Sequence, residues 1–209
     1  MLETGLLAFF TLFATISPID TAAVFAALTI NSSAAHRRSM AIKGALIGTA
    51  ILVVFWLIGD LMLKRLGITL AALRTAGGIL LLLIAIDMVF ARPSGGVSTT
   101  DDETEEAEHK DDISVFPLAT PLIAGPGTMG AIILLAAQAG SDWRNQMAVL
   151  GGLIAVMTIT LVLLLIAGKL QKFLGVTGLT VIGRVIGVLL AALAVQFIFD
   201  GIASSGLFS

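Results

Sequence analysis

The first long apolar run of the chain is interrupted by Thr15-Ile16-Ser17-Pro18-Ile19-Asp20-Thr21. The run extends from Gly5 to Ile30, which is long enough to cross a bilayer as one helix. A proline inside a helix removes a backbone hydrogen bond, and a carboxylate at the membrane centre costs about 2.5–3.5 kcal/mol on insertion scales. We therefore expect two half-helices here instead of one continuous span.

A second interruption of the same kind follows in the later half of the chain. Ile123-Ala124-Gly125-Pro126-Gly127-Thr128 lies inside the apolar run from Val115 to Ala139. An unpaired backbone N–H or C=O in hydrocarbon costs several kcal/mol, so such a break must face protein or a water-filled cavity. We predict that the two interruptions meet near the membrane midplane.

The composition indicates an integral membrane protein. The 209 residues are 57% hydrophobic and 12% charged, with a mean hydropathy of +1.04, whereas soluble domains are about a quarter charged. Apolar stretches of membrane-spanning length recur along the chain. The pattern predicts an all-α membrane protein with six transmembrane helices, at roughly 5–30, 44–63, 71–91, 115–139, 147–168 and 180–203.

Several classes of site are disfavoured by the residues present. The chain has no cysteine, and its two histidines, His36 and His109, lie in polar segments. A metal site or an intramembrane catalytic centre therefore has no obvious ligands, and we expect no cofactor, no metal and no enzymatic activity. A basic patch with interleaved aromatics is also missing, so nucleic acid is not an expected ligand.

The connector at 92–113 differs from the others in composition. Eight of the fourteen acidic residues lie between Asp101 and Asp112. Such a run repels itself and buries little apolar surface, which predicts a disordered linker, and a calcium or partner site is the alternative.

The Lys and Arg residues are distributed unequally between the two sides of the membrane. Eight of them fall on the linker side and four on the other. The positive-inside rule then places the linker in the cytoplasm and both termini outside it.

Two landmarks repeat at nearly one spacing. Pro18 and Pro126 are 108 residues apart, and the helices that begin around Arg74 and Arg184 are 110 apart. This spacing predicts two three-helix repeats, 1–91 and 114–209. Because each repeat has an odd number of spans, the second repeat enters the membrane from the opposite side and is inverted relative to the first. Inverted repeats with interrupted helices are a recurring plan of secondary transporters. Chance similarity between two Leu/Ala/Gly-rich segments is the alternative.

The interruptions are the predicted binding site for a small polar solute. Freed N–H groups at a half-helix start suit an anion, and freed carbonyls at a half-helix end suit a cation. The site residues predicted from the two breaks are Ser17, Pro18, Asp20, Thr21, Gly125, Pro126, Gly127 and Thr128. Asp20 is the candidate for ion coupling, as a proton carrier, a sodium ligand or a partner for a substrate ammonium. The alternative is that Asp20 caps the second half-helix.

Four further polar residues are secondary candidates. Arg74 and Arg184 begin matched helices, where snorkelling to the interface explains them equally well. Asp87 lies near a helix end, where headgroup-level water can solvate it. Gln196 lies inside the last apolar run and can line a cavity or bond to a neighbouring helix. Glycines spaced four apart favour tight packing within the monomer and leave a homo-oligomer open.

Three stretches carry a resemblance to a known family. Val115-Phe116-Pro117-Leu118-Ala119-Thr120-Pro121-Leu122-Ile123-Ala124-Gly125-Pro126-Gly127 resembles the central signature of the MarC family of bacterial and archaeal membrane proteins. The stretch 73–80, followed by 85–88, is similar to that family's third helix, and 191–201 to its last. The resemblance implies a six-helix protein of the inner membrane, with small neutral amino acids as the substrate class of transporting members.

The chain departs from the family pattern at the first interruption. The family commonly reads Asn-Pro-x-Gly there, whereas this chain reads Ser17-Pro18-Ile19-Asp20. The proline is kept, but an amide becomes a hydroxyl and a glycine becomes a carboxylate. The resemblance therefore leaves the substrate and the coupling ion open.

Together these features predict a secondary transporter for a small neutral amino acid or a similar small polar solute. In this hypothesis one three-helix unit rocks against the other, and Asp20 couples the movement to protons or sodium. Two alternatives remain: a passive channel whose pore is lined by the interrupted helices, and a membrane assembly or scaffold protein without flux of its own.

Overall fold

The computed structural model describes residues 1–29, 32–90 and 112–206, and this part of the chain is helical without strands. Five helical stretches are long and apolar enough to cross a membrane, and a pair bent by 56° makes a sixth. The predicted all-α membrane fold is therefore confirmed. The helical segments are α1 (Leu2–Ile16), α2 (Pro18–Leu28), α3 (Ala34–Leu66), α4 (Leu70–Phe90), α5 (Ser114–Ile123), α6 (Pro126–Ala139), α7 (Trp143–Leu165) and α8 (Ala167–Ala203).

Two helices are longer than the sequence pattern predicts. The segment between the predicted fifth and sixth spans, 169–178, was expected to be a non-helical connector, but α8 runs through it without a break from Ala167 to Ala203. That stretch contains no proline, and a single glycine costs a helix only about 1 kcal/mol, so glycine alone does not end it. Similarly, α3 begins at Ala34, ahead of the predicted 44, where the Ser33 hydroxyl accepts a hydrogen bond from the His36 N–H at 3.3 Å.

The first part of the fourth span is not the regular half-helix that the sequence suggests. In α5 the backbone is extended at Phe116 (φ −130°, ψ 127°) and at Thr120 (φ −133°, ψ 129°). Each of these residues precedes a proline, Pro117 or Pro121, which disfavours the α conformation in the residue before it. The segment is held instead by wider turns, such as the Leu118 N–H donating to the Ile113 carbonyl at 3.2 Å.

The acidic connector falls mostly outside the described residues, which resume at Asp112. The Ser114 hydroxyl and backbone N–H, with Lys43, lower the pKa of Asp112 to about 2. Lys43 Nζ lies 3.1 Å from the Asp112 carboxylate, and both side chains are largely exposed. Ile113 is buried, so the last two residues of the predicted linker 92–113 belong to the folded protein.

Helices of the first half pack mainly on helices of the second. The pairs are α1 with α7, α3 with α5 and α6, and α4 with α8. In the first pair the helices run in the same direction, because Gly5 lies against Ala148 and Gly152 lies against Ala8. Packing of each half on the other is what two oppositely oriented repeats would produce. The duplication itself remains a prediction.

The buried apolar residues form two separate clusters. The larger lies among α1, α2, α3, α5, α6 and α7 and includes one residue of α8, Ala167, with Phe25, Leu118 and Leu153 among its fully buried members. The smaller joins α4 to α8 and includes one residue of α1, Ala14, and residues of α6 such as Leu134. Apart from Ala167 at the start of α8, the helices α4 and α8 thus form one unit, the α4–α8 pair, which packs on a body made by the other helices.

Glycines bring α4 and α8 together in antiparallel contact. A Cβ on Gly78 would lie 2.7 Å from the Ala194 carbonyl oxygen, and a Cβ on Gly187 would lie 2.9 Å from the Met88 Cβ. Small residues that allow backbones this close are typical of helix contacts in membranes, where lipid offers no hydrophobic driving force between helices.

We expect Gly78→Ala to destabilise the protein by about 1–3 kcal/mol, since its methyl group would meet backbone atoms of α8 that cannot rotate away. The matched control is Gly151→Ala in α7, where a Cβ meets nothing within 4 Å. Thermal unfolding in detergent would measure both. A Gly78→Ala protein as stable as Gly151→Ala would contradict the close contact.

Candidate functional site

The first interruption is a single residue in the left-handed conformation. Ser17, which is fully buried, has φ 44° and ψ 67° and joins α1 to α2. A residue other than glycine held there costs of order 1–3 kcal/mol, and Asn is among the residues that adopt the conformation most readily. Pro18 is the first residue of α2 and has no N–H, so the Ala14 carbonyl loses its usual helical donor.

The second interruption is wider but ends in the same way. Gly125 is extended (φ −79°, ψ 167°), and Pro126 is the first residue of α6. The Ala124 N–H donates to the Ala119 carbonyl at 2.8 Å, and the Met129 N–H to the Gly125 carbonyl at 2.9 Å. Proline in the first helical turn is favourable, because that position has no intrahelical partner for an N–H. The second half-helix therefore begins with proline in both spans.

The two interruptions contact each other inside the protein. The Thr128 hydroxyl donates to the Thr15 carbonyl at 3.3 Å, across 113 residues of sequence. The Thr21 hydroxyl donates to the Ile16 carbonyl at 2.8 Å. Both threonines are buried. In this conformation the predicted site hydroxyls thus satisfy the carbonyls that the first break frees, and their contact with a substrate remains a prediction.

We expect Thr128→Val to destabilise the protein by about 1–3 kcal/mol, since it leaves the Thr15 carbonyl without its donor in a buried position. Thr158→Val is the matched control: its hydroxyl also bonds a helix carbonyl, that of Ile154 at 2.7 Å, but the side chain is exposed. Denaturation midpoints of the two variants would compare the effects. Equal, small losses would mean that the contact between the breaks contributes little.

Asp20 lies at the first interruption and faces α8. The Ser17 hydroxyl donates to its carboxylate. A Cβ built on Gly183 of α8 would lie 3.6 Å from both carboxylate oxygens. The side chain of Ser17, at the start of α2, makes no hydrogen bond to the N–H groups of that helix. The described hydrogen bond of Asp20 is thus to a hydroxyl at the break, and Asp20 lies in the first turn of α2, so that its roles in ion coupling and in helix capping both remain predictions.

Two residues that were not predicted to be part of the site cover the interruptions. The Ile84 side chain of α4 occupies the space into which a Cβ on Gly127 would project. Gly183 of α8 lies against Asp20. Each break is therefore covered by one helix of the α4–α8 pair. Gly183 begins a Gly-x-x-x-Gly pattern, which predicts tight helix packing but not contact with the site, whereas Ile84 resembles any other apolar residue of its span.

The secondary candidates are not brought to the interruptions by any described contact. Gln196 is exposed and donates to Asp200 of the same helix at 2.8 Å, and Arg184 is exposed as well. Asp87 and Arg74 are half-buried, and no hydrogen-bond partner of the buried Arg74 Nε lies among the described residues. No group of three His, Cys, Asp or Glu residues that could hold a metal lies in 1–29, 32–90 or 112–206.

These features define a multi-pass α-helical membrane protein with two interrupted spans that meet in its interior. The profile of the MarC family of integral membrane proteins matches residues 2–205. The chain therefore belongs to the MarC family, as its central signature suggested.

Relatives match along almost the whole chain. UPF0056 membrane protein MJ1677 of Methanocaldococcus jannaschii is 37% identical over 201 residues, which cover 96% of this chain and 97% of that protein. UPF0056 membrane protein YvbG of Bacillus subtilis is 38% identical over 194 residues, with coverages of 93% and 92%. UPF0056 membrane protein YhcE of Escherichia coli is 33% identical over 197 residues, with coverages of 93% and 89%. No solved structure matches the chain.

Proposed function

We propose that this protein is a secondary transporter of small neutral amino acids or similar small polar solutes, which bind between the two interruptions. The observation that carries the proposal is the contact between the breaks, in which Thr128 donates to the Thr15 carbonyl inside the protein. Interrupted helices that meet in this way bring backbone N–H groups, with partial positive charge, and carbonyls, with partial negative charge, to one place. A zwitterion requires both kinds of group.

The half-helix ends suit the two charges of an amino acid. The first turns of α2 and α6 direct N–H groups toward the breaks and favour a carboxylate. The end of α1 directs carbonyls, including those of Thr15 and Ile16, toward the same region and favours an ammonium. In the described conformation, threonine hydroxyls donate hydrogen bonds to these carbonyls. A substrate ammonium would replace the Thr128 hydroxyl on the Thr15 carbonyl.

The packing favours movement of the α4–α8 pair over rocking of one three-helix half against the other. The helices of each half pack mostly on the other half, so the halves are not separable bodies. The α4–α8 pair, in contrast, shares its own core and covers both breaks through Ile84 and Gly183. Displacement of this pair, first at one end and then at the other, would open the site alternately to the two faces.

Orientation follows the charge bias of the sequence. We place the ends at Met1 and Ser209 outside the cytoplasm and the 92–113 connector inside, in the inner membrane of a bacterial or archaeal cell. Asp20 is proposed to couple the cycle to protons or sodium, since it is the one ionisable residue in either interruption, 15–21 or 123–128.

Solute counterflow in proteoliposomes tests the function. Vesicles preloaded with unlabelled alanine, glycine or serine should transiently accumulate external labelled solute above the outside concentration. A passive channel equilibrates the label without this overshoot, so an equilibration curve would favour the channel. If proteoliposomes with folded protein show no flux of any solute in a broad panel, the transporter proposal is wrong and the assembly or scaffold role is favoured.

A further inference from the structure

A cavity of about 330 Å³ lies away from the interruptions, where the start of α3 meets the end of α7. It is lined by two basic and three apolar residues: Ala34, Arg37, Arg38, Leu164 and Leu165. The arginines and the leucines come from different halves of the chain. The cavity is thus a partly open space between two spans, with a basic wall and an apolar wall.

The charges of this cavity are not neutralised by the described protein. Neither guanidinium has an ion pair or hydrogen bond among the interactions that the structure describes. The Arg37 guanidinium lies against the first turn of α8, because its atoms are 3.6–3.8 Å from a Cβ built on Gly168. No side chain caps that turn, so its backbone N–H groups add partial positive charge beside the arginines.

The cavity lies at one end of two helical stretches that are long and apolar enough to cross a membrane. That of α3 begins at Ala34 and that of α7 ends at Leu165, so we place the cavity at the level of the lipid headgroups. Leu165 is 43% exposed, and thus extends the apolar wall of the cavity toward the lipid, while Leu164 is buried. A ligand with a phosphate beside acyl chains matches a basic wall next to an exposed apolar one, and basic pockets between spans are known to hold anionic headgroups.

We propose that this cavity binds the phosphate of an anionic phospholipid headgroup, with Arg37 and Arg38 as its ligands. Arginine presents a planar fork of donors that fits phosphate oxygens in a bidentate manner. The competing explanation is purely structural. Arg37 would then lie there to oppose the negative end of the α7 dipole, without any lipid.

Native mass spectrometry and thermal unfolding in nanodiscs separate these explanations. Discs of phosphatidylcholine alone would be compared with discs that also contain phosphatidylglycerol. We expect the Arg37→Gln/Arg38→Gln double variant to bind phosphatidylglycerol about 30-fold more weakly than wild type, since each arginine near an anionic surface contributes about a five-fold effect. The matched control is Arg144→Gln, an exposed arginine at the opposite end of α7, which should bind as wild type.

Three results would overturn the proposal. The first is equal binding of phosphatidylglycerol by the double variant and wild type. The second is loss of stability in the double variant that is the same in both lipid mixtures, which the structural explanation predicts. The third is stabilisation of wild type by inorganic phosphate in phosphatidylcholine discs without any effect of phosphatidylglycerol, which would make the ligand a free anion. If the double variant does not fold, Arg38→Gln alone should show the five-fold effect, since Arg38 is exposed.

Discussion

The Gly127→Leu variant is expected to lose at least about 99% of solute exchange while remaining folded. Gly127 lies in the first turn of α6, and even a Cβ there would meet the terminal methyl of Ile84. A leucine side chain would fill the space between the second break and α4. Overpacking of this kind costs about 1–3 kcal/mol, and about 2.7 kcal/mol in the barrier of a transport step is a hundred-fold change in rate. Counterflow of labelled alanine would measure the loss.

Two comparisons decide whether this loss comes from the site. Gly130→Leu places the same side chain one turn later in α6, where a Cβ meets nothing within 4 Å, and should exchange as wild type. Adding Ile84→Ala to Gly127→Leu removes the clash with α4, and should restore stability without restoring exchange. Wild-type exchange by a folded Gly127→Leu protein would exclude the second interruption from the substrate path.

The Asp20→Asn variant is expected to exchange solute but to lose all uphill accumulation. The amide keeps the shape of the side chain and can still accept from the Ser17 hydroxyl, so the packing against Gly183 should survive. It cannot take up a proton or supply a full charge to a sodium ion. Under an imposed proton or sodium gradient, the ratio of internal to external solute should therefore fall from above 1 to 1.

The matched control for this variant is Asp87→Asn, which alters another half-buried carboxylate, on α4. It should concentrate solute as wild type does. Uphill accumulation by Asp20→Asn would show that coupling lies elsewhere, whereas loss of exchange together with accumulation would show that the carboxylate binds the substrate itself.

Local chemistry made much of the fold predictable. Pro18 and Pro126 cannot donate to a helix ladder, so both breaks could be read directly from the chain. The irregular α5 was not predicted, although Pro117 and Pro121 each constrain the residue before them and so explain it. The continuous α8 was not predicted either, because the glycines of its first half resemble those of a connector and only about 1 kcal/mol apiece opposes the helix.

The tertiary contacts of the site could not be read in the same way. Thr128 and Thr21 were predicted to bind a ligand, which remains a prediction, and the pairing of their hydroxyls with carbonyls of the first break was not foreseen. Ile84 and Gly183 cover the breaks only because α4 and α8 pack over them, and an apolar span carries no local signal for such a contact. Patterns in sequence gave the positions of the interruptions, and packing between distant helices determined what covers them.

Transport by this mechanism requires the α4–α8 pair to leave the interruptions during each cycle. A Cβ on Gly77 of α4 would lie 3.3 Å from the Leu134 side chain of α6, and the chain has no native cysteine. A Gly77→Cys/Leu134→Cys protein can therefore be joined by a short thiol crosslinker, with each single variant as its control.

Counterflow should be measured before crosslinking, after it, and again after a reducible linker is cleaved. If the pair must move, the crosslink abolishes counterflow, cleavage restores it, and the single variants treated with the same reagent are unaffected. Undiminished counterflow in protein shown to be fully crosslinked would contradict movement of the α4–α8 pair as the step that opens the site.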